Sequence, residues 1–243
     1  KELVLTGINL SRYGADLGLR PSTAIQTVCN LDGDFRVRLG SVEPKLMDFE
    51  DFHALAGLSK LCPHFHLALQ SGSDKTLQRM GRRYTTREYT EFVDYIFKNF
   101  KNPSITTDLM VGFMGETDEE FNETKSFVAS LPLLKANIFE YSQREGTRAP
   151  SFEGSISPQK KKERALELKE ICDKQSEEFL KTQLKTHGRV LIEGSGNGYT
   201  DNYVPVKMLT PAPVASLQEV FLKDMKGGTI FAQLKEALKE EVK

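Results

Sequence analysis

The chain of 243 residues is long enough for one large domain, or a medium domain with a small one, and its 39% hydrophobic and 28% charged content is that of an ordinary soluble globular protein. A net charge of -1 supplies no global field for nucleic acid, so any such contact must come from a local basic patch. No apolar run approaches the roughly 18 residues needed to span a bilayer, and Cys29, Cys62 and Cys172 fit neither a disulfide framework nor a CxxC metal site, which predicts a cytoplasmic chain with no membrane contact and reduced, buried thiols.

"ELVLTGIN" reads as a strand ended by Gly7; a chain opening on a strand without an initiator Met is expected to be a fragment of something longer. Ser22–Thr23 cap a predicted helix running to about Asn30. "FRVRLGSVEP" is a strand closed by Gly40 and Pro44, and "DFEDFHALAGLSKL" has apolar residues at helical spacing. "FHLALQ" is a strand, and Thr85 with Glu88 forms a capping box for the helix "TTREYTEFVDYIFKNF". "SITTDLMVGF" is a strand, Thr117 and Glu120 box the next helix, and "KANIFEYS" is a strand. The five strands, at about 2–9, 35–40, 64–69, 104–112 and 135–141, are separated by helices, which predicts βαβ units and a parallel sheet, either part of a (β/α) barrel or doubly wound.

The organisation changes after Pro150. Ser157 and Pro158 stand as N-cap and first residue of a long charged helix, with Leu166, Ile171, Cys172, Phe179 and Leu180 as its buried stripe. From about residue 187, glycine turns separate short alternating runs, which predicts a small all-β barrel-like domain; "QLKEALKEEVK" closes as a short helix or a frayed end. The expected division is 1–150, a helical connector 151–185, and 186–243.

In either α/β architecture ligands gather at the carboxyl ends of the strands. Polar and glycine residues concentrate there: Thr6–Gly7–Ile8–Asn9, Gly40–Ser41–Val42–Glu43, Gln70–Ser71–Gly72–Ser73, Gly112–Phe113–Met114–Gly115–Glu116 and Tyr141–Ser142–Gln143–Arg144. The Gln70–Ser73 turn has two readings: a helix cap in which Gly72 relieves crowding, or a ligand site with an amide, a hydroxyl and helix-start N–H groups. Arg79, Arg82 and Arg83 follow; each is either a fork for a carboxylate or phosphate or a solvated side chain. Asp108 lies in an apolar strand and should be paired. His64 and His66 share a strand face without metal-ligand spacing, which favours a hydrogen-bonded pair. "KKKER" is either a solvated helix face or a grip on phosphates. No Walker loop, GxGxxG, GxSxG or zinc signature is present, so spacing and composition name no reaction and no catalytic residue.

"ELVLTGINLSRYG", "RVRLGSVEP", "HFHLALQSGSDKTLQRMGRRYT", "TTDLMVGFMGETDEEFNET" and "FEYSQREGTRA", in this order, resemble the radical S-adenosylmethionine methylthiotransferases along essentially the whole chain. "GRVLIEGSGNGYTDNYVPVKM" resembles the RNA-binding TRAM domain of that family. "CPHFHLALQSG" with "LTGINLSRYG" is most similar to the branch that methylthiolates C2 of N6-threonylcarbamoyladenosine at tRNA position 37; the isopentenyladenosine branch is the alternative, and a non-enzymatic RNA-binding module is a second. The resemblance implies an α/β fold, a partial radical-SAM-type (β/α) barrel from its second strand onward, followed by a small all-β TRAM-like domain. It implies S-adenosylmethionine and tRNA as partners, with no identified sulfur donor. By position, Thr6, Gly7 and Asn9 would hold the methionyl amine. Ser41 and Glu43 would lie at the next strand end, Gln70, Ser71 and Arg83 by the ribose and carboxylate, and Val111 and Gly112 beside adenine. Met114 stands where the family usually has Pro. The family's CxxxCxxC motif for a four-iron, four-sulfur (4Fe-4S) cluster is not in this sequence. The ligands of both 4Fe-4S clusters are therefore expected outside it, and the fragment alone is expected to be inactive.

Overall fold

The computed structural model describes residues 1–7, 10, 13–44, 47–143 and 154–238. Strand β1 (Glu2–Leu5) pairs in parallel with β2 (Arg36–Leu39), and β3 (Ser41–Val42), β4 (His64–Leu67), β5 (Ser104–Val111) and β6 (Leu133–Glu140) follow in that order in a second parallel sheet. The strand expected at 35–40 is β2, and β3 is an additional short strand just beyond its Gly40 end. The chain bends at Gly40, where a Cβ would sit 3.2 Å from both the Leu5 carbonyl and the Thr6 hydroxyl. The bend gives β2 to β1 and β3 to β4.

The intervening helices are α1 (Pro21–Cys29), α2 (Phe49–Leu55), α3 (Asp74–Arg79), α4 (Thr86–Asn99) and α5 (Asp118–Ala129). The boxes at Thr85/Glu88 and Thr117/Glu120 form as expected. The Ser22–Thr23 cap does not. Helix α1 starts on Pro21, with Arg20 at its N-cap, and the fixed φ of proline suits the first turn. Ser22 is buried inside it and donates to Asp51 Oδ1 at 2.6 Å.

Helix α6 (Pro158–Gln183) is capped by Ser157, whose hydroxyl accepts from the Lys160 N–H at 3.3 Å. Its buried face carries Arg164, Leu168, Cys172, Phe179, Leu180 and Gln183. Leu166, expected in the stripe, is 55% exposed because two residues' rotation from Arg164 carries it to the opposite face. Strands β7 (His187–Ile192), β8 (Asn197–Thr200), β9 (Pro205–Met208), β10 (Leu217–Lys226) and β11 (Thr229–Leu234) then close a small barrel, followed by α7 (Lys235–Leu238).

Two apolar cores result. The first joins Val37, Phe52, Phe65, Leu67, Ile96 and Leu109 to Leu168 and Cys172 of α6. The second fills the closed barrel with Val190, Ile192, Val206, Val220 and Ile230, and takes in Phe179 and Leu180 of the same helix. Among the described residues no helix is long and apolar enough to cross a membrane.

Candidate functional site

At the carboxyl rim, Thr6 and Gly7 are exposed at the end of β1, while Asn9 lies outside the described residues. Ser41 is exposed at the start of β3. Glu43 is half-buried and faces Arg82 at 3.5 Å, so the fold brings the second and third strand ends together through an ion pair. Gln70 has φ 70°, a left-handed conformation that costs an ordinary residue energy. Two backbone bonds to β5 hold it: Gln70 N–H donates to the Asp108 carbonyl, and Met110 N–H to the Gln70 carbonyl, each at 2.8 Å.

Ser71 is fully buried. Its hydroxyl lies 3.2 Å from that of Thr124 on α5 and accepts from Ser73 N–H at 3.2 Å. Gly72 is needed because a Cβ there would meet Thr124 Cα at 2.8 Å and Phe127 Cβ at 2.9 Å. Ser73 Oγ also donates to Glu123 at 2.6 Å, so three of the four residues of the Gln70–Ser73 turn dock α5. Arg79 is likewise spent, on Glu120, whose carboxyl it holds below the usual range. Arg83 is exposed.

Val111 is fully buried on the helix side of β5, so only its backbone reaches the rim, where its carbonyl accepts from Tyr141 N–H at 2.9 Å. Gly112 N–H donates to Glu116 Oε2 at 2.8 Å. Glu116 is gripped in turn by Arg164 of α6 at 2.6 Å; burial pushes its carboxyl up, against the pull of these two donors. The stem of Lys161 lies against Gly112, and its ammonium donates to the Tyr141 carbonyl at 2.7 Å. Tyr141, Phe113 and Met114 form an apolar nook beside Met80 and Met110. The Tyr141 hydroxyl is buried there without a hydrogen-bond partner among the described residues.

Below the rim lies a feature the strand-end reading missed. Alternation on β4, β5 and β6 points His64 and His66, Thr106 and Asp108, and Lys135 and Asn137 into the barrel, with Thr106 opposite Lys135 and Asp108 opposite Asn137. The Thr106 hydroxyl is 2.9 Å from His64 Nε2 and 3.0 Å from His66 Nδ1, so the expected histidine pair is linked through it. Asp108 is paired as expected: His66 Nε2 is 3.3 Å away, and Asn137 donates at 2.9 Å. Burial, then the Arg38 charge, push His64 down to about 3. Polar residues recurring at i and i+2 in each of three neighbouring strands (64/66, 106/108 and 135/137) were the signal that could have found this set.

The second barrel floors this interior. Arg36 donates to Asp201 Oδ1 at 2.9 Å and the Tyr199 carbonyl at 3.1 Å; Arg38 reaches the Asp201 and Thr200 carbonyls at 3.1 and 3.2 Å. Both arginines also bind Glu2, and although burial acts to raise the Glu2 carboxyl, Arg38 and Arg36 hold it below the usual range. Tyr203 stacks on His64 with ring centres 4.4 Å apart. The cavity between the two barrels is about 360 Å³ and opens to solvent at Lys135 and Asn137, a size suited to a small ligand or part of a larger one.

A parallel strand rim above a polar barrel interior is the arrangement of the radical SAM superfamily, whose family model matches residues 14–128. The chain carries a radical SAM domain followed by a TRAM-like barrel. Its fold is similar to that of coproporphyrinogen III oxidase (HemN) from Escherichia coli, described as a radical SAM enzyme, with TM-score 0.52, 17% identity, and coverage of 63% of this chain and 37% of that one. Among curated proteins it is similar to the threonylcarbamoyladenosine tRNA methylthiotransferases MtaB of Aquifex aeolicus (37% identical, 91% of this chain, 54% of that protein) and Thermotoga maritima (38%, 84% and 48%). It is also similar to the tRNA-2-methylthio-N(6)-dimethylallyladenosine synthase of Pelotomaculum thermopropionicum (36%, 82% and 46%). These relatives are what a fragment of the tRNA methylthiotransferase family would have, and the chain spans about half their length.

The radical SAM family implies S-adenosylmethionine and an iron–sulfur cluster. The rim suits the former: a strained Gln70, the Glu43–Arg82 pair and the unpartnered Tyr141 hydroxyl are polar groups poised at adjoining strand ends. The cluster does not fit the described residues. Its ligands must be thiolates, but Cys29 at the end of α1, Cys62 in the loop before β4 and Cys172 within α6 are each buried. Burial raises all three thiols, Cys62 to about 12 and Cys172 to about 11. No group of three His, Cys, Asp or Glu among the described residues could hold a metal.

Proposed function

We propose that the chain is the S-adenosylmethionine-binding barrel and RNA-binding β barrel of a tRNA methylthiotransferase acting at C2 of N6-threonylcarbamoyladenosine. The observation that carries this reading is likeness over 91% of the chain to a protein named for that reaction. Three units, 1–150, 151–185 and 186–243, divide the work.

Bound S-adenosylmethionine would supply hydrogen-atom abstraction and a methyl group, chemistry that belongs to the cofactor. The protein's part is to hold it. Thr6, Gly7 and Asn9 take the methionyl amine; Ser41, Glu43 and Gln70 take the ribose; Arg82 and Arg83 stand by the carboxylate; the Val111 carbonyl and Gly112 border adenine. Ser71, spent on Thr124, acts on this site through the position of Gln70. The C-terminal barrel binds tRNA by phosphate contacts, so its binding falls steeply with salt.

The test is the full-length protein, purified anaerobically with its clusters and given tRNA bearing either N6-threonylcarbamoyl- or N6-dimethylallyl-adenosine. Mass spectrometry of the nucleosides should show the 2-methylthio product from the first substrate. Product from the second alone would move the protein to the other branch. Product from neither, together with unchanged tRNA modification in a deletion strain, would end the reading.

A further inference from the structure

The floor cavity holds polar groups that the fold itself leaves unused. His64 is only 5% exposed, yet its Nδ1, in a ring lining the cavity, has no partner among the described residues. Such an atom inside a protein normally finds a hydrogen bond, so an unmet one marks a place where a polar group is missing. Thr106 and His66 lie beside it, linked as described. Across the cavity, Asn137 spends one N–H on Asp108 and keeps its carbonyl and second N–H.

The charges are unequally committed. Arg36 and Arg38 are saturated by Glu2, Asp201 and the carbonyls of Tyr199, Thr200 and Asp201. Lys135 also lines the cavity, is exposed, and makes no ion pair among the described residues. Glu193 lines the cavity on the side of the second barrel. One uncommitted ammonium, an amide and an unmet imidazole nitrogen form a donor-rich set. An apolar occupant would strand these groups, whereas a carboxylate carrying further hydrogen-bonding atoms would satisfy them.

We infer that the floor cavity receives the carboxylate-bearing N6 substituent of the target nucleoside, with Lys135 pairing the carboxylate and His64 and Asn137 meeting its remaining polar atoms. This rests on the tRNA methylthiotransferase reading and assigns that protein a specificity residue. The stacked Tyr199, Tyr203 and His64 rings put the cavity wall and the second barrel in direct contact, so a nucleoside held there lies beside the RNA-binding unit.

The experiment uses the full-length protein and three anticodon stem-loop RNAs identical except at the target adenosine: unmodified, N6-threonylcarbamoyl and N6-dimethylallyl. Dissociation constants are measured by fluorescence anisotropy at one fixed salt concentration. The wild type should bind the threonylcarbamoyl RNA tightest. Lys135→Met should weaken that RNA alone by roughly ten- to a hundred-fold, the range of a lost charge-assisted bond, and Lys135→Arg should restore most of it. Lys135 is exposed, so these variants fold. Equal weakening of all three RNAs would make Lys135 a phosphate contact and overturn the inference; so would no weakening, or wild-type preference for the dimethylallyl RNA. Those outcomes leave the methylthiotransferase reading standing. That reading fails separately if the wild type binds none of the three better than an unrelated hairpin.

Discussion

Replacing Arg164 with methionine should unfasten α6 from the rim. Arg164 and Glu116 have side chains 4% and 1% exposed and meet at 2.6 Å, and the same guanidinium nitrogen donates to the Glu116 carbonyl at 3.2 Å. Removing one partner of such a pair leaves a buried charge uncompensated, which costs about 3–5 kcal/mol. Two details place this case at the lower end, about 3 kcal/mol. Gly112 N–H still serves the Glu116 carboxylate. The second contact of Arg164, with Asp118, is to a carboxylate 61% exposed and already served by Lys160, so it adds little. Chemical denaturation of the full-length protein reads the loss, and hydrogen exchange should localise it to residues 112–117 and the first turns of α6. The double variant Glu116→Gln with Arg164→Met removes the stranded charge and should recover at least half of the loss. A single variant within about 1 kcal/mol of wild type, or a double variant no better than the single, would refute the reasoning.

Gly72→Ala drives a methyl into the backbone and Cβ of α5 and should destabilise by about 1–3 kcal/mol, seen as a lower Tm; an unchanged Tm contradicts the close approach. Ser71→Ala should lower stability by about 1 kcal/mol while leaving S-adenosylmethionine affinity within a factor of about three, roughly half a kcal/mol; a larger loss of affinity would return Ser71 to the ligand. His64 makes the fold acid-sensitive. Its folded value of about 3 lies below the ordinary 6.5, so the unfolded chain binds the extra proton between them. Stability from this group is fully present above pH 6.5 and is lost as pH falls toward 3, with a slope approaching about 1.4 kcal/mol per pH unit. In His64→Phe that slope should flatten; an unaltered acid limb would show that another group governs it.

Caps and alternation made much of the fold legible. Thr85 with Glu88, Thr117 with Glu120 and Ser157 before Pro158 mark helix starts by local chemistry, and local chemistry decided them. Gly40 was legible as a strand end; the short β3 after it was not, because Ser41–Val42 is a strand only through its pairing with His66 and Leu67, neighbours brought by the tertiary fold. Leu166 shows a different failure: the helix and the Cys172, Phe179 and Leu180 part of its buried face were evident, but in the first turns the inward position is taken by Arg164, paired with Glu116, and not by Leu166. In the site, polar strand ends pointed to the rim, yet they could not separate Ser71, consumed by Thr124, from Gln70 beside it. The floor cavity escaped because one of its walls comes from Glu193, Tyr199 and Tyr203, far along the chain in the second barrel.

Helix α6 contributes Leu168 and Cys172 to one core and Phe179 and Leu180 to the other, within 13 residues of continuous helix. A cut N-terminal to Leu168 would strip apolar side chains from the first core and a cut C-terminal to Leu180 would strip them from the second, whereas a cut between Cys172 and Phe179 leaves each core its own residues and severs only the helix they share. That two-turn interval is the mechanical link between the cores, and the place where a boundary for expressing either half strips the fewest apolar contacts.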